Sequence, residues 1–429
     1  MLERVFGLSA HGTDLRTEVT AGVTTFLAMA YILFINPLIL KDAGMDQGAV
    51  FVATALAAAA GSILMGLYAN YPIALAPGMG INAYFAYGVV QGMGHSWQVA
   101  LGAVFLSGLA FLFLSLVRVR EWIIDSIPRS LKMAIAGGIG LLLAVIALQN
   151  AGIVAAHPVT MVTVGKLTQP PAIIAAITFV VIVALDVRRV PGALMIGIVG
   201  ATAAGMALGL APFRGIFDLP PSIAPTFLQM DLAGALDLGL TTVVFAFLFV
   251  ALFDTAGTLI GVAWRGGMLD AAGRLPRLRQ ALVADSTAIM AGAALGTSTT
   301  TAYIESAAGM KAGGRTGLTA CVTGLLFVAS LVLAPIVLAV PPFATAPALL
   351  FVACMMAGSL GEIDWQDATE YAPALVTAVA MPFTFSIAHG IGFGFLTYAG
   401  IKLLAGRAGE ASVMVWVIAA LFVLKFAVT

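Results

Sequence analysis

Charge is what this chain has least of. Of 429 residues, 20 are Lys or Arg and 20 are Asp or Glu, so 9% are charged. Soluble domains carry about a quarter. That scarcity excludes an ordinary water-soluble domain. The formal net charge is zero, which gives no basic surplus to attract a nucleic acid. Cysteine is nearly absent too. Cys321 and Cys354 both fall in apolar segments and are expected as buried thiols, not as a disulfide. Only four histidines occur, and no His, Cys or Asp cluster has metal-ligand spacing. No metal or other cofactor is expected. The run GTSTTT (Gly296 to Thr301) lacks the lysine of a phosphate loop. No nucleophile–base pair stands out at segment depth, so the chain does not read as an enzyme. A cleavable leader is not expected, because the first apolar segment is too long and follows the polar start MLERVFGLSAHGTDLRTE.

What is present is apolar sequence. Hydrophobic residues make up 61% of the chain, and mean hydropathy is +1.07. A bilayer-spanning helix needs about 20 apolar residues. The hydropathy predicts spans at 18–39, 47–69, 74–90, 98–118, 128–149, 169–187 and 191–210. It continues with 237–263, 279–295, 298–313, 317–338, 343–360, 371–405 and 411–427. That is about fourteen segments of an all-α membrane protein, with 371–405 counted as one. A break at His389-Gly390 leaves a helix–break–helix open there. An N-terminus on the cytoplasmic side puts fifteen of the Lys and Arg residues inside and five outside, as the positive-inside rule asks. The exceptions include Lys402 and Arg407. Val119 to Ile127 (VREWIIDSI) reads as amphipathic and interfacial.

Two segments are short and broken, and they hold matching places. The third reads YPIALAPGMGINAYFAYG (Tyr71 to Gly88), the tenth LGTSTTTAYIESAAGM (Leu295 to Met310). Each is third in a block of seven. Seven is odd, so 1–215 and 216–429 read as two inverted repeats. Pro77 has no amide hydrogen and disfavours helix at Ala76. Gly78 and Gly80 permit close backbone approach. Thr297 to Thr301 are polar and mostly β-branched, which favours an extended run. Short extended pieces are therefore expected in segments 3 and 10, each followed by a half-helix. Two half-helices starting at mid-membrane aim free N–H groups at one point. Paired broken segments of this kind are the best sequence pointer to a transporter's binding site.

Two acids lie in this setting. Asp254 interrupts VVFAFLFVALFDTAGTLIGVAW (Val243 to Trp264), and Glu305 follows the threonine run. An ionisable group at bilayer depth costs roughly 2.5–3.5 kcal/mol, so a chain that keeps two is expected to use them on a substrate or a proton. Thr258 lies four residues from Asp254, on the same helix face. Asn82 offers a donor and an acceptor at the start of the third segment's helix, or else caps local backbone. Tyr84 and Tyr303 suit a flat ring, although tyrosine at a helix contact is commoner. His389 reads as structural.

ALAPGMGINAYF (Ala74 to Phe85), FDTAGTL (Phe253 to Leu259), GTSTTTAYIESAAG (Gly296 to Gly309) and TTFLAMAYILFINP (Thr24 to Pro37) together resemble the AzgA-like purine permease branch of the nucleobase:cation symporter-2 family. The resemblance runs through nearly the whole chain. It implies segments 1–4 and 8–11 as a core domain carrying substrate, and segments 5–7 and 12–14 as a gate domain that also forms a homodimer. It implies a secondary transporter in the cell membrane, importing hypoxanthine, guanine or adenine by proton symport with elevator-type movement. By motif position Asp254 and Glu305 contact the base, with Gly80 and Asn82 in purine recognition. Thr258 and Tyr303 are near by adjacency. The competing expectations are a xanthine or uracil permease, and an anion transporter of the related sulfate-permease architecture.

Overall fold

The structure, a computed structural model, describes residues 2–116, 128–213, 215–236, 241–268 and 275–428. The expected interfacial stretch Val119 to Ile127 lies outside the described residues. Short polar side chains start the apolar helices. Asp14 accepts from the Thr17 amide at 2.8 Å and caps α1 (Leu15–Met29). The chain breaks at Ala30-Tyr31 and continues as α2 (Ile32–Asp42). Asp46 caps α3 (Gln47–Leu64) through the Ala49 amide at 2.7 Å. The third segment then opens as β1 (Leu75–Pro77), followed by α4 (Met79–Ala83), which widens into a π-type helix over Tyr84–Gly92. The first half is completed by α5 (Trp97–Leu116), α6 (Arg129–Asn150), α7 (Pro170–Val187) and α8 (Ala193–Ala207). Between α6 and α7 lies a hairpin of β2 (Val154–His157) and β3 (Met161–Val164), which the hydropathy does not anticipate.

The second half runs α9 (Thr241–Arg265), α10 (Leu278–Leu295), β4 (Thr300–Ala302), α11 (Ser306–Lys311), α12 (Gly317–Ala329) and α13 (Ala334–Ala339). It ends with α14 (Pro342–Ala357), α15 (Ala368–Thr384), α16 (Ile387–Leu404) and α17 (Val413–Val428). Among the described residues, eight helical runs are long and apolar enough to cross a membrane. The extended pieces expected in segments 3 and 10 are β1 and β4. They pair antiparallel, with Leu75 opposite Ala302, Ala76 opposite Thr301 and Pro77 opposite Thr300.

Segment 371–405 is two helices. The break is not at His389-Gly390 but at Phe385-Ser386. Phe385 takes a left-handed conformation (φ 48°), and the Ser386 hydroxyl caps the new helix at the His389 amide. His389 is instead one turn into α16, its ring packed on Phe393 and Phe426. The hairpin returns the chain to its starting end. There Lys402, fully buried, bonds Glu370 at 2.8 Å and Glu410 at 2.7 Å, and Arg407 bonds Asp367 at 2.8 Å. Hydrogen bonds from Thr369, aided by Arg407, hold the Asp367 carboxyl down at about 2. The cysteines are free, but they are not the buried thiols expected. Cys321 is half-buried and Cys354 exposed, because Cys354 sits on the outward face of α14.

Glycines set the tightest helix contacts. A Cβ on Gly317 of α12 would lie 1.9 Å from the Gly66 carbonyl oxygen, and one on Gly66 would lie 2.4 Å from the Gly317 oxygen. Both obstacles are backbone, so no rotamer relieves them. Gly317→Val is expected to destabilise the protein by at least about 1–3 kcal/mol. A melting temperature in detergent equal to the parent's would refute the contact.

Candidate functional site

The site is built around the β1–β4 crossing. Extended backbone at this depth must find partners inside the protein, and the sequence supplies them. Ser62 of α3 receives the Leu75 amide at 2.9 Å and donates to the Leu75 carbonyl at 3.1 Å. The Ala74 amide donates to Ser306 at 3.0 Å, and the Gly78 amide to the Thr299 carbonyl at 2.9 Å. The Tyr303 hydroxyl donates to the Pro77 carbonyl at 2.5 Å. Tyr303 is thus a staple across the two pieces, with its polar tip spent on backbone.

Past the crossing the two half-helices differ. α4 starts at Gly78 with no side-chain cap, leaving its first-turn amides to whatever faces them. The start of α11 is closed: the Ser306, Ala307 and Ala308 amides donate to the Tyr303, Ile304 and Glu305 carbonyls. The expected convergence of two open helix ends is therefore half realised. What segment 10 offers is the Glu305 side chain. Glu305 stands at the N-cap of α11, half-buried, and accepts from the Tyr31 hydroxyl at 2.5 Å. Tyr31 is fully buried at the α1–α2 break.

Asn82 is fully buried in a polar chain. Its amide donates to Asn36 at 2.6 Å, and its oxygen accepts from Ser298. Asn36 in turn donates to Thr54 at 2.7 Å and Thr297 at 2.8 Å. The chain ties α2, α3, α4 and the strand entering β4 into one body. Gly80 faces elsewhere: a Cβ there would lie 2.6 Å from Ile139 Cγ2 of α6. It marks a close approach of the third segment to the fifth. The Tyr84 ring packs on Phe247 of α9, with centroids 5.0 Å apart.

Asp254 and Thr258 lie on α9, and Thr258 is half-buried; the side chain of Asp254 is not among those the structure describes. Its neighbour Thr255 shows how the helix is held. Thr255 is fully buried, donates to Asp285 at 2.7 Å and bonds Thr301 of β4 at 2.8 Å. Asp285, on α10, also receives the Ala302 amide at 3.0 Å. One fully buried carboxylate thus joins α9, α10 and β4.

The reading from sequence passes over Tyr31, Asn36, Thr255 and Asp285. Asp285 left a signal, an acid inside the apolar segment 279–295. Tyr31 and Asn36 left little, since a tyrosine or asparagine in an apolar run fits several roles. The structure brings Glu305, Tyr303 and Asn82 to one crossing, and places Gly80 on its outer face.

Residues 16–393 match a family model, Xan_ur_permease, described as a permease family. The chain is 49% identical over 425 residues to the adenine permease AdeP of Escherichia coli (strain K12), spanning 99% of this chain and 96% of that one. It is 46% identical to the guanine/hypoxanthine permease PbuG of Bacillus subtilis (strain 168), spanning 99% of each. Among solved structures, the transmembrane domain of a cyanobacterium bicarbonate transporter, BicA, superposes with a TM-score of 0.65 at 14% identity, covering 89% of this chain and 97% of that one. The murine anion transporter Slc26a9 in its inward-facing state gives 0.68 at 11% identity, covering 91% and 69%. At such identities these two share the fold alone.

Proposed function

Because this chain belongs to the Xan_ur_permease family, the nucleobase:cation symporter-2 permeases, we propose that it imports purine nucleobases by proton symport. The observation that carries the reading is the Glu305 carboxylate, held by Tyr31 at 2.5 Å beside the β1–β4 crossing. A carboxylate accepts from purine ring N–H and exocyclic amine groups, and it can also take a proton. Asp254 is the second acid, on the neighbouring α9. In this proposal the open amides of α4 meet acceptors on the base. Asn82 and Tyr303 position the crossing, and Thr258 lines it.

Movement in this proposal is of the elevator type. Segments 1–4 and 8–11 form the core, laced by the Asn36–Asn82 chain and by Asp285. Segments 5–7 and 12–14 form the gate and the homodimer surface. Gly80 lies where the core meets Ile139 of the gate helix α6, and its missing side chain lets the two surfaces pack closely. The hairpin α15–α16 then matches α7–α8 as the closing pair of its repeat, with α17 added beyond it.

The same topology supports a cytoplasmic N-terminus in a plasma membrane. With α15 and α16 counted separately, Lys402 and Arg407 move to the inner end and Lys425 to the outer, and the bias becomes sixteen against four. An anion substrate is disfavoured, since the Asp285 and Glu305 carboxylates stand at the crossing and the start of α11 is closed by its own turn.

The test is uptake of radiolabelled adenine and hypoxanthine into proteoliposomes under an imposed pH gradient, with guanine, xanthine and uracil as competitors. Accumulation that collapses with the gradient and is displaced by purines is expected. Base uptake indifferent to the gradient would remove proton symport. Displacement by uracil or xanthine alone would change the substrate. Bicarbonate or sulfate flux without base flux would favour the anion reading.

A further inference from the structure

A cavity opens at one end of the molecule, away from the crossing. It lies at the end of segment one that begins with α1, opposite the Lys41–Asp42 end. Four stretches of chain converge on it: the residues before α1, the turn after α3, the ends of α9 and α10, and the turn before α12. The volume is about 540 Å³, and Arg277, Arg315, His11, Tyr71 and the Gly266-Gly267 turn line it. That volume is of the size that encloses small ligands, roughly 300–1,000 Å³. Among the described residues, no Asp or Glu lines it.

Neither arginine pairs with a carboxylate among the described residues, while the His11 ring is held by the Gly7 carbonyl at 2.8 Å. The Arg315 guanidinium makes one weak bond, to the Gly266 carbonyl at 3.3 Å, and a guanidinium has five N–H donors. Arg277 stands at the start of α10 in a left-handed conformation, φ 57°. Such backbone is unfavourable for a residue with a side chain and tends to mark functional positions. It sets the guanidinium 5.6 Å from the centre of the Tyr71 ring. Tyr71 is 2% exposed, and its buried hydroxyl makes no hydrogen bond of good geometry, the Arg277 guanidinium approaching it both as a charge and as a donor. A buried hydroxyl left unpaired costs about 1–3 kcal/mol. Among the described residues, two guanidinium groups, an imidazole and a phenol share one rim that no carboxylate lines, and the buried Glu18 carboxylate is taken up by the Arg315, Thr316 and Thr319 amides.

We propose that this cavity binds a phosphate-bearing ligand, with Arg277 and Arg315 forked onto the phosphate and Tyr71 supplying a further donor. Arginine matches phosphate geometry through paired N–H groups. The ligand is either a soluble phosphate ester of nucleotide size or the headgroup of an anionic phospholipid. The proposal does not rest on the purine reading, because binding is measured without transport.

The test is thermal unfolding of the full-length protein in neutral detergent. Inorganic phosphate and adenosine 5′-monophosphate are titrated at constant ionic strength, and in a second arm phosphatidylglycerol is doped into the micelles. The variants are R277Q/R315Q and Y71F. Stabilisation that saturates, disappears in R277Q/R315Q and is weakened several-fold in Y71F is the expected result. A response to the soluble phosphates assigns a free phosphate compound, and a response to phosphatidylglycerol alone assigns a lipid headgroup. No shift in either arm, or an undiminished shift in both variants, overturns the proposal. If R277Q/R315Q fails to fold, Y71F decides: an affinity equal to the parent's overturns it.

Discussion

Glu305→Gln is expected to abolish accumulation of purine against a gradient. The amide keeps the shape of the carboxyl group but carries neither its charge nor its proton. Tyr31 retains an oxygen to donate to, so the crossing should remain folded. A hydrogen bond to a charged group contributes about 1.5–3 kcal/mol, which is on the order of 10–100-fold in affinity. Asp254→Asn is expected to match it. Two assays separate binding from coupling. If Glu305 carries the proton, Glu305→Gln still exchanges labelled for unlabelled base across the membrane and fails only at uphill accumulation. If Glu305 only holds the base, both assays fall together. Full accumulation in both Glu305→Gln and Asp254→Asn would end the proposed mechanism. Tyr31→Phe removes one donor and leaves the carboxylate, so a smaller loss, about tenfold, is expected from it.

Asp285→Ala is expected to unfold the crossing. The substitution removes the acceptor of the Ala302 amide and of the Thr255 hydroxyl, both buried. The stranded Ala302 amide costs about 1–3 kcal/mol, and the Thr255 hydroxyl is left with Thr301 alone. The two lie on β4 and α9, so the loss loosens the helix that bears Asp254 from the strand that leads to Glu305. Asp285→Asn retains one acceptor oxygen and should fall between the parent and Asp285→Ala. Melting in detergent reads the first effect and base uptake the second. An Asp285→Ala protein with the parent's melting temperature and uptake would show that the carboxylate supports neither.

Much of the architecture was legible from one-dimensional patterns. Long apolar runs locate helices because lipid offers the backbone no partner, and every span has to carry its own hydrogen bonds. Pro77, Gly78 and the threonine run Thr297 to Thr301 were legible as extended for the same local reasons. The hairpin at 385–386 was not. Phe385 in a left-handed conformation has no sequence signature, and the turn is held by contacts that close behind it. Nor was the fate of Asn82 and Tyr303, whose side chains are taken up by Asn36, Ser298 and the Pro77 carbonyl.

The sequence by itself determined a polytopic membrane protein, two broken segments in matching positions and two acids out of place, because each is a property of a short stretch of chain in lipid. The tertiary structure alone decided which side chains meet. Tyr31 and Glu305 are 274 residues apart, and Asn82 and Ser298 are 216 apart. No local preference encodes such pairings. They follow from two strands crossing at the centre of the bundle, where an unpaired polar atom is costly and each donor must settle on the acceptor that packing brings within reach.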